Sequence, residues 1–389
     1  MKKIYNRRRI ILLFLFTLFL ICLFSIIRLF PNRMVPNQIN FPILKLTTKE
    51  EAQLLSNDSF LLKTIKKYGP AQVMDKINML STQRNFNCHL EAHKVGRVTY
   101  GVFGSSAFEL CSSLCHSGCF HGSIEAFFRD KGTANLQMNL QLLCANEKNG
   151  FFTHQCLHGV GHGLMAWSDY QLFVALRSCD VLDTDAHRAS CWSGVFMENV
   201  VGALAKNEVN SGQKSVNRVT DPNLHYTSFL NDDPQFPCNI VEEKYRDGCY
   251  FLQPTRMLQL FNYDFERVAN ECLKAPVVNQ RSCFQSLGRE VDGSSNNDVI
   301  VAIQKCQYAP YGDARTNCLI GAVQDTFWDP SGQKEALSFC EKLTDNAEVK
   351  ACYDTIIERA GQVLDNKALN TFCNKVPVSS QVSCNPSKS

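Results

Sequence analysis

Cysteine placement constrains this chain more than any other feature. The residues Cys144 and Cys156, Cys179 and Cys191, Cys238 and Cys249, Cys272 and Cys283, Cys306 and Cys318, Cys340 and Cys352, and Cys373 and Cys384 form pairs 11 or 12 residues apart. From one pair to the next the step is mostly 33 to 35 residues, and only the step from Cys179 to Cys238 is longer. A period of about 34 residues is the length of one helix-turn-helix unit. Helical patterns flank the pairs, with Phe265, Val268, Ala269 and Cys272 before the turn and Cys283, Leu287 and Val291 after it. Breakers lie between: Ala275-Pro276, Ala309-Pro310-Tyr311-Gly312, Thr344-Asp345-Asn346 and Val376-Pro377. On this reading the first cysteine ends one helix, A, and the second begins the next, B. A disulfide at that turn closes a small loop and adds about 2–3 kcal/mol per bridge on the chain-entropy account.

Stacked hairpins of this kind give an all-α fold, an α-solenoid of disulfide-linked helical hairpins. In period and cysteine placement, residues 85 to 389 resemble the disulfide-stapled Sel1-like and tetratricopeptide-type solenoids. The tetratricopeptide signature residues are absent. The resemblance therefore implies an architecture and a common scaffolding role, a protein or peptide bound on the solenoid face, and assigns no functional residue. Four early cysteines, Cys88, Cys111, Cys115 and Cys119, do not fit one pair per unit. Periodicity continues the series with Cys111 and Cys119 and leaves Cys88 and Cys115 as candidates for each other, with the connectivity open.

The chain has 19 cysteines, and all but Cys22 follow an apolar run from Ile10 to Ile27. A run of that length can just cross a bilayer as a helix. Lys2, Lys3, Arg7, Arg8 and Arg9 precede it and should remain cytoplasmic. No small-residue cleavage site follows, so the segment reads as a retained signal-anchor. The ectodomain then lies outside the cytoplasm, at the cell surface, in the periplasm or in a secretory lumen. Cysteines pair in such oxidising compartments. The expected organisation is a basic tail over 1–9, a transmembrane helix over 10–30 and a stalk over 31–60. Histidine-rich helical repeats follow over 61–205, then an insertion loop over 206–236 and cysteine-paired repeats over 237–389. The formal net charge is +3, with the N-terminal tail carrying much of it, which argues against nucleic acid as a partner.

Seven of the nine histidines fall between residues 89 and 162: His89, His93, His116, His121, His154, His158 and His162. Repeats of one fold do not need histidine in one half alone for packing. Aligned on the second cysteine of each unit, Cys119 is followed by His121 and Glu125, and Cys156 by His158 and His162 at the same two positions. Residues four apart share a helix face, and neighbouring helices pack about 8–10 Å apart. His89 and His93 repeat the four-residue step one unit earlier, and Glu198 sits one place off register one unit later. Imidazole and carboxylate groups from adjacent helices are a ligand set for zinc, iron, copper or manganese. The expected ligands are His121, Glu125, His158 and His162, with His93 and Glu198 as further candidates. Such a centre suits a metal-dependent hydrolase or oxidoreductase, or a carrier or sensor without turnover. A hydrogen-bonded structural network is the competing account of the same histidines.

Gly122, Gly159, Gly194 and Gly321 each follow the second cysteine by three residues, as close helix packing would require. Gly159 occupies the place of the catalytic glutamate in a zincin motif, which excludes that family's chemistry. No nucleophile elbow, phosphate-binding loop or dinucleotide fingerprint is present. Arg97 and Arg289, near B-helix faces, are candidate anion ligands or ion-pair partners.

Overall fold

The computed structural model describes residues 41–84, 86, 88–112, 114–115, 117–132, 144, 150–168, 170–201, 229–295, 298–381 and 383–384. The chain divides into two units, Met1–Pro42 and Ile43–Ser389, and the described elements belong to the second. The basic tail and the membrane segment expected over 10–30 lie outside the described residues, as does most of the insertion expected over 206–236. Among the described residues all regular structure is helical, and no helix is long and apolar enough to cross a membrane.

The first three helices are α1 (Thr48–Ser56), α2 (Asp58–Tyr68) and α3 (Pro70–Arg84). Part of the expected stalk is thus folded. A capping box starts α1, with Glu50 N donating to Thr47 Oγ1 and Thr47 N donating to Glu50 Oε2. Asn57 then caps α2 by accepting from Phe60 N. Leu54, Leu61, Ile65, Val73, Met74 and Ile77 bury their side chains in a core shared with Ala92, Val95 and Cys119. The prolines and polar residues suggested a stalk, but an apolar face outweighs them from Thr48 onward.

The repeating region begins with α4 (His89–Phe103), α5 (Ala107–Leu110), α6 (Gly118–Lys131), α7 (Gly150–Trp167), α8 (Leu172–Cys179) and α9 (Asp185–Val201). It continues with α10 (Glu243–Tyr250), α11 (Gln253–Leu260), α12 (Phe265–Cys272), α13 (Val277–Gly293), α14 (Val299–Cys306) and α15 (Asp313–Thr326). The last elements are α16 (Gln333–Lys342), α17 (Asn346–Val363), α18 (Asn366–Cys373) and α19 (Val378–Gln381). Aspartates set the helix starts: Asp264, Asp298, Asp345 and Asp365 accept backbone N–H bonds at the N-termini of α12, α14, α17 and α18. In α12 the buried residues Phe265, Val268, Ala269 and Cys272 fall at i, i+3, i+4 and i+7, a single apolar stripe.

Eighteen cysteines form nine disulfides, and the early four join as Cys88–Cys115 and Cys111–Cys119. The A helices α8, α12, α14 and α18 end on their cysteine, as the spacing implies. The B helices start earlier than expected. Cys191, Cys283, Cys318 and Cys352 sit more than one turn inside α9, α13, α15 and α17, because the breaker that ends the turn also starts the helix. The bridges Cys179–Cys191, Cys272–Cys283 and Cys306–Cys318 therefore tie the end of an A helix to the flank of its B helix.

The B helices pack in series: α4 on α6, α6 on α7, α7 on α9, α9 on α10, α10 on α13, α13 on α15 and α15 on α17. In addition α17 touches α7. An open stack of layers would hold those two helices far apart, so the series curves back on itself. Glycines let these helices meet backbone to backbone. A Cβ at Gly96 would stand 2.0 Å from Cys119 O, and one at Gly122 would stand 2.0 Å from His93 O, so α4 and α6 close on a reciprocal pair. Gly161 and Gly194 do the same for α7 and α9, as do Gly288 and Gly321 for α13 and α15.

This packing predicts opposite outcomes for two identical substitutions. Gly361 lies inside α17 with nothing within 4 Å of an added Cβ, so G361A should stabilise the protein by about 0.5–1 kcal/mol. At Gly194 the added carbon would stand 1.8 Å from His158 O, so G194A should cost about 1–3 kcal/mol despite the better helix propensity. Guanidinium denaturation of both variants under oxidising conditions checks the pair.

Candidate metal centre

The close contact of α4, α6 and α7 brings histidines from all three helices into one cluster. Ring centroids of His89 and His93 lie 4.7 Å apart, those of His93 and His121 5.4 Å, those of His121 and His162 4.9 Å, and those of His158 and His162 5.0 Å. His93 on α4 and His162 on α7 approach to 6.0 Å across the cluster. The nitrogens of His89, His93 and His121 that can bind a metal all lie within 4.8 Å of one another, so these three residues could hold an ion.

Hydrogen bonds fix which nitrogen of each ring faces inward. His89 Nδ1 lies 2.9 Å from Cys115 O, and a carbonyl only accepts, so that nitrogen carries the proton. His162 Nδ1 lies 2.8 Å from Glu198 Oε2 and donates to the carboxylate, whose other oxygen accepts from Tyr170 Oη at 3.2 Å. His158 Nδ1 lies 2.8 Å from Ser193 Oγ, which spends its own proton on Ser190 O at 2.7 Å. His154 Nδ1 lies 2.8 Å from Ser190 Oγ, itself donating to Ala186 O at 2.8 Å. With Nδ1 as the donor, a neutral ring at His89, His154 or His158 keeps its lone pair on Nε2. This is how metal-binding histidines are oriented, by an acceptor placed behind the far nitrogen.

The inner nitrogens lie close together. His158 Nε2 and His162 Nε2 stand 3.2 Å apart. His89 Nε2 and His93 Nε2 stand 3.1 Å apart. His93 Nδ1 and both ring nitrogens of His121 are buried without a hydrogen-bond partner among the described residues. An orphaned buried nitrogen costs about 1–3 kcal/mol, and a cation shared between such lone pairs would remove the cost. Two of the orienting groups sit on left-handed backbone that ordinary residues rarely adopt: Cys115 at φ 54° and Tyr170 at φ 58°. Backbone of this kind persists only where the surroundings enforce it, and it gathers at functional sites.

The expected ligands sort into three groups. His93, His121, His158 and His162 converge. Glu198 stands behind His162 and aims it. Glu125 is buried but turned aside: Arg97 Nη1 reaches Glu125 Oε2 at 2.9 Å and Arg129 Nη2 reaches Glu125 Oε1 at 2.5 Å. Arg97 accordingly serves as an ion-pair partner. His89 was absent from the expected ligand set, although its four-residue spacing to His93 carries the signal. The serines behind α7 were also overlooked, although Ser193 occupies the place after its cysteine that His121 and His158 occupy after theirs. His116 lies outside the described residues.

The cluster opens on a cavity of about 760 Å³, with His89, His121, His154, His158 and His162 on its wall. Helices α13, α15 and α17 supply further lining through Arg289, Glu290, Asp325, Trp328 and Arg359. Comparison with family models, with curated proteins and with solved structures finds no match to this chain. The Sel1-like and tetratricopeptide likeness thus rests on the cysteine period and the helical hairpins alone.

Burial disfavours the charged form of His93, His121, His154 and His158. Desolvation first, then the neighbouring cationic forms, push His93, His121 and His158 well below the usual histidine value. Desolvation and the charges of Arg359 and Arg289 lower His154 to about 4. In each case the folded value lies below the unfolded one, so the metal-free protein is at full stability above about pH 6.5. As pH falls below that value the unfolded chain takes up protons that the fold refuses, and stability drops. His154 alone should account for on the order of 3 kcal/mol by the time its folded value is reached. Denaturant midpoints of chelator-treated protein should therefore decline from pH 7 to pH 4, and substituting His154 by Gln should flatten that decline.

Proposed function

We propose that this chain is a membrane-anchored extracytoplasmic protein whose early repeats hold a divalent metal ion at the wall of a ligand cavity, and that the centre is catalytic. The carrying observation is the convergence of buried imidazoles from α4, α6 and α7, with the nitrogens of His89, His93 and His121 within 4.8 Å of one another. His89, His93 and His121 are the first ligands, with His158 and His162 adjoining them and Glu198 and Ser193 setting their orientation. Zinc, iron, copper and manganese all accept imidazole nitrogen. A centre that opens on a cavity has room for water or substrate beside the protein ligands, which is the arrangement of catalytic rather than closed structural sites. In that role the metal would polarise a substrate oxygen or supply a nucleophilic water.

The setting supports the reading. Nine disulfides suit an oxidising, extracytoplasmic compartment. The basic residues before the apolar run at 10–30 suit an anchor with a cytoplasmic N-terminus. We read the packed hairpins as an α-solenoid bent until α17 meets α7. A scaffold that binds a protein or peptide is the second reading. It draws support from exposed apolar residues at the hairpin turns, Val277, Val278, Tyr311 and Val378. The one-sided placement of the histidines favours the metal centre.

Metal content decides between them. The full chain, purified in detergent without a histidine tag, should retain metal by plasma mass spectrometry after incubation with zinc, iron, copper or manganese and desalting. H93A/H121A should lose it, H158A/H162A should bind it more weakly, and E125Q should keep it while melting earlier, because that carboxylate serves Arg97 and Arg129. Metal at about 1,000 times its Kd should add about 4 kcal/mol to stability, read as a raised Tm. Folded wild-type protein without metal after all four incubations would refute the centre and leave the scaffold.

A further inference from the structure

The same cavity contains two cations that the metal centre does not use. The Arg289 guanidinium lies 4.7 Å above the Phe251 ring, and that of Arg359 lies 4.4 Å above Phe151 and 5.8 Å from Trp328. Both arginines line the cavity. Elsewhere Arg97, Arg188 and Arg315 are paired at 2.9, 2.5 and 2.6 Å with carboxylates, whereas neither Arg289 nor Arg359 has a described carboxylate within ion-pair distance. Arg359 Nε is buried without a hydrogen-bond partner. Burial lowers Arg359 to about 10, which leaves it a cation at neutral pH, with Glu358 and Asp325 acting on it from outside ion-pair distance.

The acids of the cavity are occupied in other ways. Glu290 accepts from Thr255 Oγ1 at 2.6 Å, and burial pushes its carboxyl up. Glu358 accepts from Gln362 Nε2 at 3.3 Å. Asp325 acts on Arg359 only from beyond ion-pair range. The charges of Arg289 and Arg359 are felt at His154, and that of Arg289 also at His158, so the guanidiniums and the histidines look onto shared space. A guanidinium stacked on an aromatic face keeps its N–H edges for a planar acceptor, and it binds carboxylate or phosphate in bidentate fashion. The cavity's size, about 760 Å³, is that of a small-molecule site.

We propose that Arg289 and Arg359 form an oxyanion site that takes a carboxylate or phosphate group carried on an apolar body. Phe151, Phe251 and Trp328 supply the surface for that body. Binding rests on the arginines alone; that the bound anion is the substrate of the histidine centre rests on the metal reading above. The two arginines place the anionic group, and the neutral histidine wall faces the rest of the molecule.

Calorimetric titration of the full chain in detergent with phenyl phosphate, benzoate and neutral benzyl alcohol tests the assignment, first on chelator-treated protein and then after zinc loading. Phenyl phosphate or benzoate should bind the chelator-treated protein, and the tighter of the two identifies the group. R289Q and R359Q should each weaken that binding about tenfold or more, the loss of one charge-assisted contact. R289K and R359K should recover part of it, which separates a local role from loss of the fold. Circular dichroism and retained zinc confirm the fold of each variant. Failure of both oxyanions to bind, equal binding of benzyl alcohol, or affinity unchanged in the Gln variants overturns the site. Anion binding that appears only with zinc and ignores both arginines also overturns it while leaving the metal centre standing. Arginine-dependent binding in a protein that never takes up metal supports the anion site and removes the metal.

Discussion

The rest of the structure depends on contact between helix backbones. Where Gly96 meets α6 and Gly122 meets α4, no side chain stands between the two main chains. Imidazoles from α4 and α6 then have to share one thin space, and Gly161 with Gly194 presses α9 against the back of α7 in the same manner. The disulfides hold the hairpins, but they act at the turns. Separation along the length of the B helices is set by missing side chains. An alanine in place of one glycine would move a histidine by the width of a methyl group, and metal geometry tolerates little of that.

Much of this was legible in the sequence. The period of the cysteines set the helical hairpins and their bridges, and the glycines at fixed distance from Cys119, Cys156, Cys191 and Cys318 indicated the tight approach. The histidine pairs at four-residue spacing placed His158 with His162, and His89 with His93, on single helix faces. Other features stayed hidden because spacing along one helix does not show what stands opposite. Glu125 aligned with His162 by position, yet Arg97 on α4 and Arg129 one turn along α6 claim its charge. Glu198, one place off register, stands behind His162 instead of beside it. Helix starts were misjudged for a local reason: the breaker caps the B helix, and the cysteine follows within it. In Thr48–Ser56 a capping box and one buried leucine were enough to turn an expected stalk into a helix.

The histidine cluster also shows why composition alone could not separate a ligand set from a polar network. Both would be rich in histidine and serine. They differ in where the protons are. A network distributes donors and acceptors until every nitrogen is matched; here Cys115 O, Ser190, Ser193 and Glu198 engage the outer nitrogens, while His93 Nδ1 and both nitrogens of His121 have no partner among the described residues. That difference resides in contacts between helices α4, α7 and α9 and the turn at Cys115.

The return of α17 onto α7 changes how the chain must fold. Linear repeat proteins gain stability one neighbour at a time and can fray from an end without loss elsewhere. Here Phe151 and Arg359, distant in sequence, close the array at a seam of ring and guanidinium. That seam adds a contact of long sequence separation to a chain of local hairpins, and contacts of that kind raise the contact order. Both sides of the seam line the cavity. Helices α13, α15 and α17 are thus more than an extension of the histidine region, because they share its cavity.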